Sequence, residues 1–510
     1  MNGIAAWVVL ALATAASTSA SLPERPQVRV DLAPPAVSGR TLFVGHGDDI
    51  AAALRRAERG DEIVLQPGVV YRGPFVLPKK SGSGWITIRS AASDSLAAGR
   101  RVGPEDRNSM PVLEAGSGHL AVVSVEPGAS HYRLIGLEIR PAAGEFLHNL
   151  VSIGRGDEAE PDVPHHIVID RCFVHGDARV GARRGIALNA RHAAVTGSYI
   201  SDIKEVGQDS QAVAGWNGPG PLAVINNYLE AAGENLMFGG GIAAIDGLVP
   251  SDIEIRGNHL SKPLSWRIED PTYAGTPWAV KNILELKNAR RVLIEGNTLE
   301  HSWTHAQTGF AVLFTVRNEG GRMPWATVQD VTFTNNLVRR AGNGINILGT
   351  DTNGRGDQRT RRILIENNQF LEIGGDWGGG RLFQLIDATE SIAIRGNSAE
   401  QTGSIVVTGG REHRGFVFTD NAAPHNDYGI VGSGTAPGAS TLSHYFPGAE
   451  FARNTISGGS ARLYPAGNTF PPDHRVAARG VDRAELCTAL ATSNPLPDGL
   501  AMFCAMSADS

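Results

Sequence analysis

The sequence predicts an all-β right-handed parallel β-helix, in which short strands coil around one core and stack along an axis. Three observations carry this prediction: a strand motif that ends in asparagine recurs, its period varies, and glycine is abundant. The chain has 510 residues, of which 62 are glycine, 42 % are hydrophobic and only 19 % are charged. This composition supplies a core, favours turns and excludes coiled-coil and disordered proteins.

The recurring motif is a short β-branched strand followed by a polar turn. Its copies end, in order, at Asn227, Asn258, Asn297, Asn336, Asn368, Asn397 and Asn421, with degenerate earlier copies at Leu137, Cys172 and Ser198. Spacings of 24 to 39 residues fit coils of fixed circumference with loops of different length, whereas helical and leucine-rich repeats keep a stricter period. Because successive coils lie ~4.8 Å apart, equivalent asparagines can hydrogen-bond in a ladder along the stack.

A second strand precedes the asparagine strand in most coils. Strict alternation in these strands places residues such as Leu284, Phe314 and Ile345 toward the core. It places six polar residues outward: Glu285, Lys287, Thr315, Arg317, Asn346 and Gln384.

The ends of the chain differ from its repeats. Ile50, Leu54 and Ala57 share one helix face, which predicts an N-terminal capping helix over the open edge of the stack. The C-terminal segment is rich in proline and predicts an irregular cap. The predicted organisation is a signal peptide (1–20), an N-terminal cap with the first coil (41–90), the β-helix (91–460) and a C-terminal cap segment (461–510).

An apolar run ahead of small residues ending at Ala20 is typical of a secretory signal, so we expect a secreted or periplasmic monomer. The run is shorter than a bilayer span needs, so no membrane span is expected after its removal. A net charge of −6 argues against nucleic-acid binding. In an exported protein, Cys487 and Cys504 are close enough in sequence for a local disulfide, whereas Cys172 lies in a strand as a buried thiol.

The Gly60–Tyr71 opening and the asparagine turns resemble the pectate-lyase-like β-helix superfamily over residues 41–460. Glu285-Leu286-Lys287-Asn288, followed by Val292–Leu299, is similar to the Glu…Lys-Ser…Asn-Thr-Phe stretch of the alginate lyase and chondroitinase B group. Arg317 corresponds to that group's arginine one coil later. The resemblance implies a polysaccharide lyase, although the group's second acidic metal ligand is not evident in the sequence.

Glu285, Lys287 and Arg317 form the candidate catalytic set. β-Elimination from a uronic acid requires neutralisation of its carboxylate and a base for the C5 proton. Arg317 suits neutralisation because its guanidinium forks onto carboxylates, and a lysine beside cations has a lowered pKa and can act as the base. Glu285 is expected to orient Lys287 or to help hold a Ca²⁺ ion. The alternative is an outward salt-bridge ladder of the same three residues.

A second set is predicted to bind substrate from the loops and outer strand faces. Tryptophans in loops offer flat apolar faces to sugar rings, although the same rings can instead cover loop bases. Residues 262–362 carry 14 Lys/Arg against 9 Asp/Glu, a local excess that suits an anionic polysaccharide. The predicted binding residues are Trp266, Arg267, Trp278, Trp303, His305, Asn346 and Gln384, with His305 or Tyr273 as a candidate acid for the leaving oxygen.

Three functions compete at this stage. The first is an exported polysaccharide lyase, or a C5-epimerase that shares its first step, acting on a uronate-containing glycan. The second is a non-catalytic glycan-binding or surface β-helix protein. A glycoside hydrolase ranks last because it needs paired carboxylates, and the outward strand positions show Glu285 without a clear acidic partner.

Overall fold

The computed structural model describes residues 20–156, 159–351 and 359–472. Nearly all of the predicted signal segment, as well as Cys487 and Cys504, lie outside these residues. In fold, the chain is a parallel β-helix: the described strands form three sheets of 14, 13 and 12 strands, and every pair within a sheet is parallel. The chain runs repeatedly from the first sheet to the second and then to the third, which confirms the predicted fold class.

We call the sheets A, B and C in the order in which each coil visits them. Sheet A contains Thr41–Val44, Glu62–Leu65, Ile86–Ser90, Ser130–Ile135, His165–Asp170, Arg191–Thr196, Leu222–Ile225, Ser251–Arg256, Ala289–Glu295, Val328–Thr334, Arg361–Glu366, Glu390–Arg395, Arg414–Thr419 and Glu450–Ala452. Sheet B contains Val70–Arg72, Val112–Ala115, Glu138–Pro141, Phe173–His175, Tyr199–Ile203, Tyr228–Ala231, His259–Ser261, Thr298–Ser302, Leu337–Ala341, Gln369–Ile373, Ser398–Gln401, Ala422–Pro424 and Thr455–Ser457. Sheet C contains Phe75–Leu77, Val123–Val125, Val151–Ile153, Arg184–Leu188, Gln211–Gly215, Glu234–Phe238, Leu284–Leu286, Phe310–Thr315, Asn343–Leu348, Phe383–Ile386, Val406–Gly409 and Ile430–Gly432.

Helices are short in the described part of the chain. The α-helices are Ile50–Arg56 and Ala439–Tyr445. The first begins at Asp49, whose carboxylate accepts from the Ala51 N–H, and it packs its apolar face on the first strands of sheets A and C. Short 3₁₀ helices of one or two turns occupy Ser93–Ser95, Pro104–Ser109, Glu160–Asp162, Leu264–Trp266, Glu319–Gly321, Gly375–Trp377 and Ala461–Leu463.

The asparagine ladder forms at the turn from sheet A to sheet B. Asn297 Nδ2 donates to Asn336 Oδ1 at 2.9 Å, and Asn297 Oδ1 accepts from the backbone and side chain of Asn258. The same pattern extends from Asn227 through Asn421 to Asn454 and Asn468, all of them among the described residues. The ladder satisfies the backbone groups of each turn, because each side chain also donates to a carbonyl of the coil before it.

Replacing Asn297 with alanine should lower the free energy of unfolding by about 1–3 kcal/mol, because it leaves buried partners on two coils unsatisfied. Urea denaturation followed by circular dichroism measures the change. Asn346→Ala, at a half-exposed position on sheet C, is the control and should cost far less. Equal midpoints for wild type and Asn297→Ala would contradict the stabilising role of the ladder.

A fully buried lysine occupies the corner between sheets B and C. Lys262 Nζ donates to the carbonyls of Ala231, Ala232 and Gly233 and to Asn235 Oδ1, at 2.6–3.1 Å. Burial lowers the pKa of Lys262 below its ordinary value. Its ammonium group therefore holds together the chain segment at the start of a sheet C strand.

A left-handed backbone residue recurs where strands of sheet A begin. Its φ lies near +55° at His131, His166 and His192, and again at a set of charged residues in later coils: Asp252, Arg291, Asp330 and Arg362. These charged residues pair across coils, with Arg291 Nε 2.7 Å from Asp252 and Arg362 Nε 2.5 Å from Asp330. One row of equivalent positions is therefore occupied by histidine rings in the earlier coils and by ion pairs in the later coils.

The segment 20–37 lies across the outer face of sheet A as a strap. Its Glu24 N–H donates to Asp330, and its Gln27 N–H donates to Asp252. At the far end, the Arg133 guanidinium donates to the carbonyls of Leu32 and Ala33, and the Val30 and Leu32 side chains pack on Val168, Ala194 and Ala223. The strap thus crosses strands that belong to seven successive coils.

Candidate active site

The predicted catalytic residues lie together on the outer face of sheet C. Glu285 stands beside Met237 of the preceding coil and Leu313 of the following coil. The Arg317 N–H donates to the Lys287 carbonyl at 2.9 Å, which places these two residues side by side on consecutive coils. The side chains of Lys287 and Arg317 are 19 % and 39 % exposed, whereas that of Glu285 is 3 % exposed. The face therefore presents two cations to solvent above a buried carboxylate.

Neighbouring polar groups fix the Glu285 carboxylate. Its Oε1 accepts from Thr315 Oγ1 at 3.3 Å and lies 3.7 Å from Lys287 Nζ. Its Oε2 accepts from Asn282 Nδ2 at 3.1 Å. Because these bonds fix the orientation of the Glu285 carboxylate, the carboxylate can in turn position the Lys287 ammonium group.

A second buried carboxylate, Glu234, lies on the same face and is absent from the sequence-based set. Gln211 Nε2 donates to Glu234 Oε2 at 2.9 Å, and Lys281 Nζ lies 4.0 Å from Glu234 Oε1 while pairing with Asp209. Burial raises the pKa of Glu234, and the negative charges of Glu285 and Asp209 raise it further. The two glutamates thus act on each other electrostatically within one site.

The electrostatic environment of Lys287 differs from the one that the sequence predicted. Burial alone would lower its pKa, but the surrounding negative charges outweigh burial, so the pKa is raised above its ordinary value. The Arg317 guanidinium, which was expected to lower it, pairs with Asp351 at 3.2 Å. The expectation of a lowered lysine pKa is therefore wrong, because carboxylates and not cations dominate its field: Glu285, Glu234, Glu319 and Asp209.

An arginine and a tryptophan extend the face toward earlier coils. The Arg184 guanidinium lies 5.1 Å from the centre of the Trp216 ring, and burial lowers the pKa of Arg184 to about 10.

The turn at Gly239 and Gly240 has φ of +89° and +77° and packs against Lys287: a Cβ at Gly240 would come within 3.3 Å of Lys287 Cδ. This close backbone approach holds the lysine stem against the sheet.

The three tryptophans predicted to bind sugar form a buried cluster at the corner between sheets B and C. Trp266, Trp278 and Trp303 are 4 %, 7 % and 3 % exposed and pack together with Ala232 and Val280. The Lys204 ammonium lies 5.5 and 5.2 Å from the first two rings. Stacking on a sugar needs an open ring face, and this packing leaves almost none, so the cluster fills the base of a loop.

The other predicted binding residues occupy two places. Asn346 and Gln384 continue the row of Glu285 along sheet C and hydrogen-bond to each other at 3.1 Å. Arg267 lies over the Trp377 ring at 4.6 Å, among loops on the sheet B side. His305 is exposed, and its Nδ1 accepts from the Val280 N–H at 3.3 Å. Only Asn346 and Gln384 share the sheet C face with Lys287, and a role for any of these residues in binding stays a prediction.

Several buried oxygens on this face make no hydrogen bond. They are Glu234 Oε1, Gln211 Oε1 and Asn282 Oδ1. The amide nitrogen of Gln211 donates to Glu234, and that of Asn282 donates to Glu285. An unpartnered buried oxygen costs free energy unless something satisfies it. Carboxylate and amide oxygens are ligands that Ca²⁺ prefers, so the residues present fit a hard divalent cation.

No family model and no curated protein matches this chain. Among solved structures, the alginate lyase from Paenibacillus sp. str. FPU-7 is 14 % identical, with a TM-score of 0.34 and coverage of 85 % of this chain and 98 % of that one. A PL6 alginate lyase in complex with a trisaccharide is 14 % identical, with a TM-score of 0.45 and coverage of 85 % and 88 %. The PL6 alginate lyase AlyGC is 12 % identical, with a TM-score of 0.44, and the match covers 84 % of this chain but only 53 % of that one.

Within the described residues, the helices are all too short or too polar to cross a bilayer.

Replacing Glu234 with glutamine should stabilise the protein at neutral pH by a few degrees in melting temperature. The native pKa of Glu234 is raised to about 7, so the cost of its charge is absent below the unfolded pKa, grows between the unfolded and the folded pKa, and is complete above the folded one. The advantage of the variant should therefore vanish near pH 4, increase up to about pH 7 and stay constant above it. Melting curves across this range measure it, and a constant difference between the two proteins would contradict the electrostatic explanation.

Proposed function

We propose that this protein is an exported polysaccharide lyase that cleaves a uronate-containing glycan by β-elimination on the outer face of sheet C. The observation that carries the proposal is the placement of Lys287 beside the buried Glu285 carboxylate and within the field of Glu234, next to Arg317 on the following coil. The site thus supplies a candidate base, a cation for the substrate carboxylate and groups that orient both.

β-Elimination needs neutralisation of the C6 carboxylate and removal of the C5 proton at the same sugar. The Arg317 guanidinium, 39 % exposed, is placed to pair with the C6 carboxylate, which makes the C5 proton more acidic. The neutral Lys287 amine takes that proton, the C5–H electrons form the C4=C5 double bond, and the C4–O4 bond breaks. The departing O4 takes a proton from water.

Deprotonation of Lys287 is the difficult step, because its carboxylate neighbours favour the ammonium form. Glu234, Glu285, Gln211 and Asn282 would hold a Ca²⁺ ion with their oxygens. When bound, such an ion supplies positive charge that offsets the carboxylates and attracts the substrate carboxylate. The unpartnered oxygens of this group support that assignment.

The proposal is tested by following the ultraviolet absorbance of the unsaturated product with alginate, glycosaminoglycans and pectate as substrates. Unsaturated sugar from at least one of them is the expected result. If none of the substrates gives product while one of them binds, the non-catalytic glycan-binding function replaces the lyase. The ion pairs of Lys287 with Glu285 and of Arg317 with Asp351 favour this second candidate, since they can be a stable charged surface without chemistry.

Removal of divalent cations should slow elimination at pH 7 by about 10-fold or more, because each pH unit below the pKa of a base costs about a factor of ten in its active form. The acid limb of the pH–rate profile should also move to higher pH. Dialysis against a chelator, followed by re-addition of Ca²⁺, measures both effects. A rate that is indifferent to the chelator would show that Lys287 or another base works without a cation.

A further inference from the structure

Histidines occupy equivalent positions on three successive coils where the strands of sheet A begin. His131, His166 and His192 are in register, and each has a left-handed backbone, with φ of +58°, +56° and +50°. The His131 and His166 rings are parallel within 2° at a centroid distance of 4.4 Å, and His192 stacks on His166 at 4.7 Å. Trp85 of the preceding coil meets His131 edge-on at 5.2 Å.

A fourth histidine converts this stack into a convergent group of nitrogens. His165 precedes His166 in the same strand, and the Nδ1 atoms of these two residues lie 2.8 Å apart. One ring nitrogen from each of His131, His165 and His166 lies within 4.8 Å of the other two. His131 Nδ1 is buried and has no hydrogen-bond partner among the described residues.

Burial favours the neutral form of these imidazoles. Burial lowers the pKa of His131 and of His166 to about 4, and it also lowers the pKa of His165. A neutral imidazole keeps one nitrogen lone pair free for a metal ion. Arg59 and Arg191 lie close enough to weaken binding of a cation, although Arg191 is partly offset by Glu160 at 3.6 Å and Arg59 donates to Ser130 and to the Gly84 carbonyl.

We propose that His131, His165 and His166 form a binding site for a divalent transition-metal ion that prefers imidazole, such as Zn²⁺ or Ni²⁺. Three imidazoles are a common ligand set for these ions, and two nitrogens on one tetrahedral Zn²⁺ lie about 3.3 Å apart. The His165 and His166 nitrogens are hydrogen-bonded to each other at 2.8 Å, so the metal ion would replace the shared proton and move the two nitrogens about 0.5 Å apart. Movement of His131 toward the pair would complete three ligands. All three residues are half-buried, which leaves a fourth position for water.

The site is separate from the proposed lyase site because it lies on sheet A, whereas Lys287 and Glu285 lie on sheet C. It also differs from the oxygen-rich set around Glu234 in the metal it selects, since nitrogen ligands favour Zn²⁺ and Ni²⁺ over Ca²⁺. Its test is independent of catalysis, so failure of one proposal leaves the other standing.

Isothermal titration of untagged, chelator-treated protein with ZnCl2 and with NiCl2 at pH 7.5 tests the site. One ion per chain is expected, together with a rise in melting temperature on addition of the metal. His131→Asn and His166→Asn each remove a ligand while asparagine tolerates the left-handed backbone. Each of these variants should weaken binding by at least 10-fold.

His192→Asn is the matched control, because it has the same backbone conformation and the same stacking but lies outside the group of three nitrogens. Its affinity should stay within twofold of wild type. His165→Ala tests the third ligand at a position outside the left-handed row and serves if an asparagine variant fails to fold. Absence of binding to wild type at millimolar metal, or equal losses in His192→Asn and His131→Asn, would overturn the proposal and leave a stacked ring ladder.

Discussion

Replacing Lys287 with alanine should lower the rate of elimination by about 10²–10⁴-fold, which is the usual cost of removing a positioned base. The side chain points outward, and its ammonium group pairs with one carboxylate at 3.7 Å. Its loss leaves the buried Glu285 carboxylate without its cation, so the melting temperature should fall, whereas an unchanged circular dichroism spectrum shows that the fold is retained. Product absorbance under saturating substrate measures the rate.

Lys287→Arg separates a base from a merely electrostatic role. A guanidinium keeps the positive charge beside Glu285 but does not lose its proton in proteins. If Lys287 is the base, the arginine variant should be as slow as the alanine variant. Retention of most of the rate in Lys287→Arg would assign the residue to charge neutralisation, and full rate in Lys287→Ala would place the site elsewhere.

Replacing Lys262 with methionine should destabilise the fold by several kcal/mol, because each buried acceptor that is left without a donor costs about 1–3 kcal/mol. Methionine has a similar length but cannot donate, so the carbonyls of Ala231 and Gly233 and Asn235 Oδ1 lose the Lys262 donor, whereas the Ala232 carbonyl keeps the Lys281 N–H. Urea denaturation measures the loss. Lys79→Met, at an exposed lysine, is the control and should cost much less.

A small effect of Lys262→Met would mean that water or a rotated Asn235 side chain satisfies the freed carbonyls. The test also bears on the site, because Lys262 binds the backbone at Gly233 and the side chain of Asn235, the residues on either side of Glu234. A variant that folds but moves this strand start should therefore lose activity as well as stability.

The fold could be read from the sequence because the signal is repeated and local. Each asparagine makes the same bonds as the one before it, so Asn258 and Asn297 report the same turn geometry in different coils. The outward position of Glu285 followed from alternation within its strand. Adjacent coils then brought Arg317 to Lys287, as the one-coil spacing implied.

Glu234 could not be found in the same way. Alternation would place it inward with Leu236 and Phe238, which do lie in the core. At the start of the strand, however, the chain turns the corner from sheet B, and Asn235 takes an inward position where its side chain bonds to backbone carbonyls. Departure from alternation at a corner depends on the loop before it, and no residue pattern within the strand records it.

The predictions of open tryptophan rings and of a lowered Lys287 pKa differ from the structure for another reason. Whether Trp266 is open or covered depends on which loops from other coils fold over it, and such packing is not encoded in its neighbours along the chain. Likewise, the field at Lys287 comes first from Glu285, and Glu234 and Asp209 add to it although they are about 50 or more residues away in sequence. The prediction considered the neighbouring Arg317 cation, and it gave the wrong sign of the pKa shift because these carboxylates outweigh that cation.

The strap formed by residues 20–37 alters how unfolding can spread along the stack. In a solenoid each coil contacts only its neighbours, so one end can open while the other remains folded. Here one short segment is hydrogen-bonded to Asp330 and Asp252 at one end and to Arg133 at the other. Opening of any coil beneath it must release contacts on distant coils, which converts a one-dimensional chain of local equilibria into a more cooperative unit. Residues 20–37, the earliest part of the described chain, thus connect distant coils, and all of their contacts can form only after the later coils have folded.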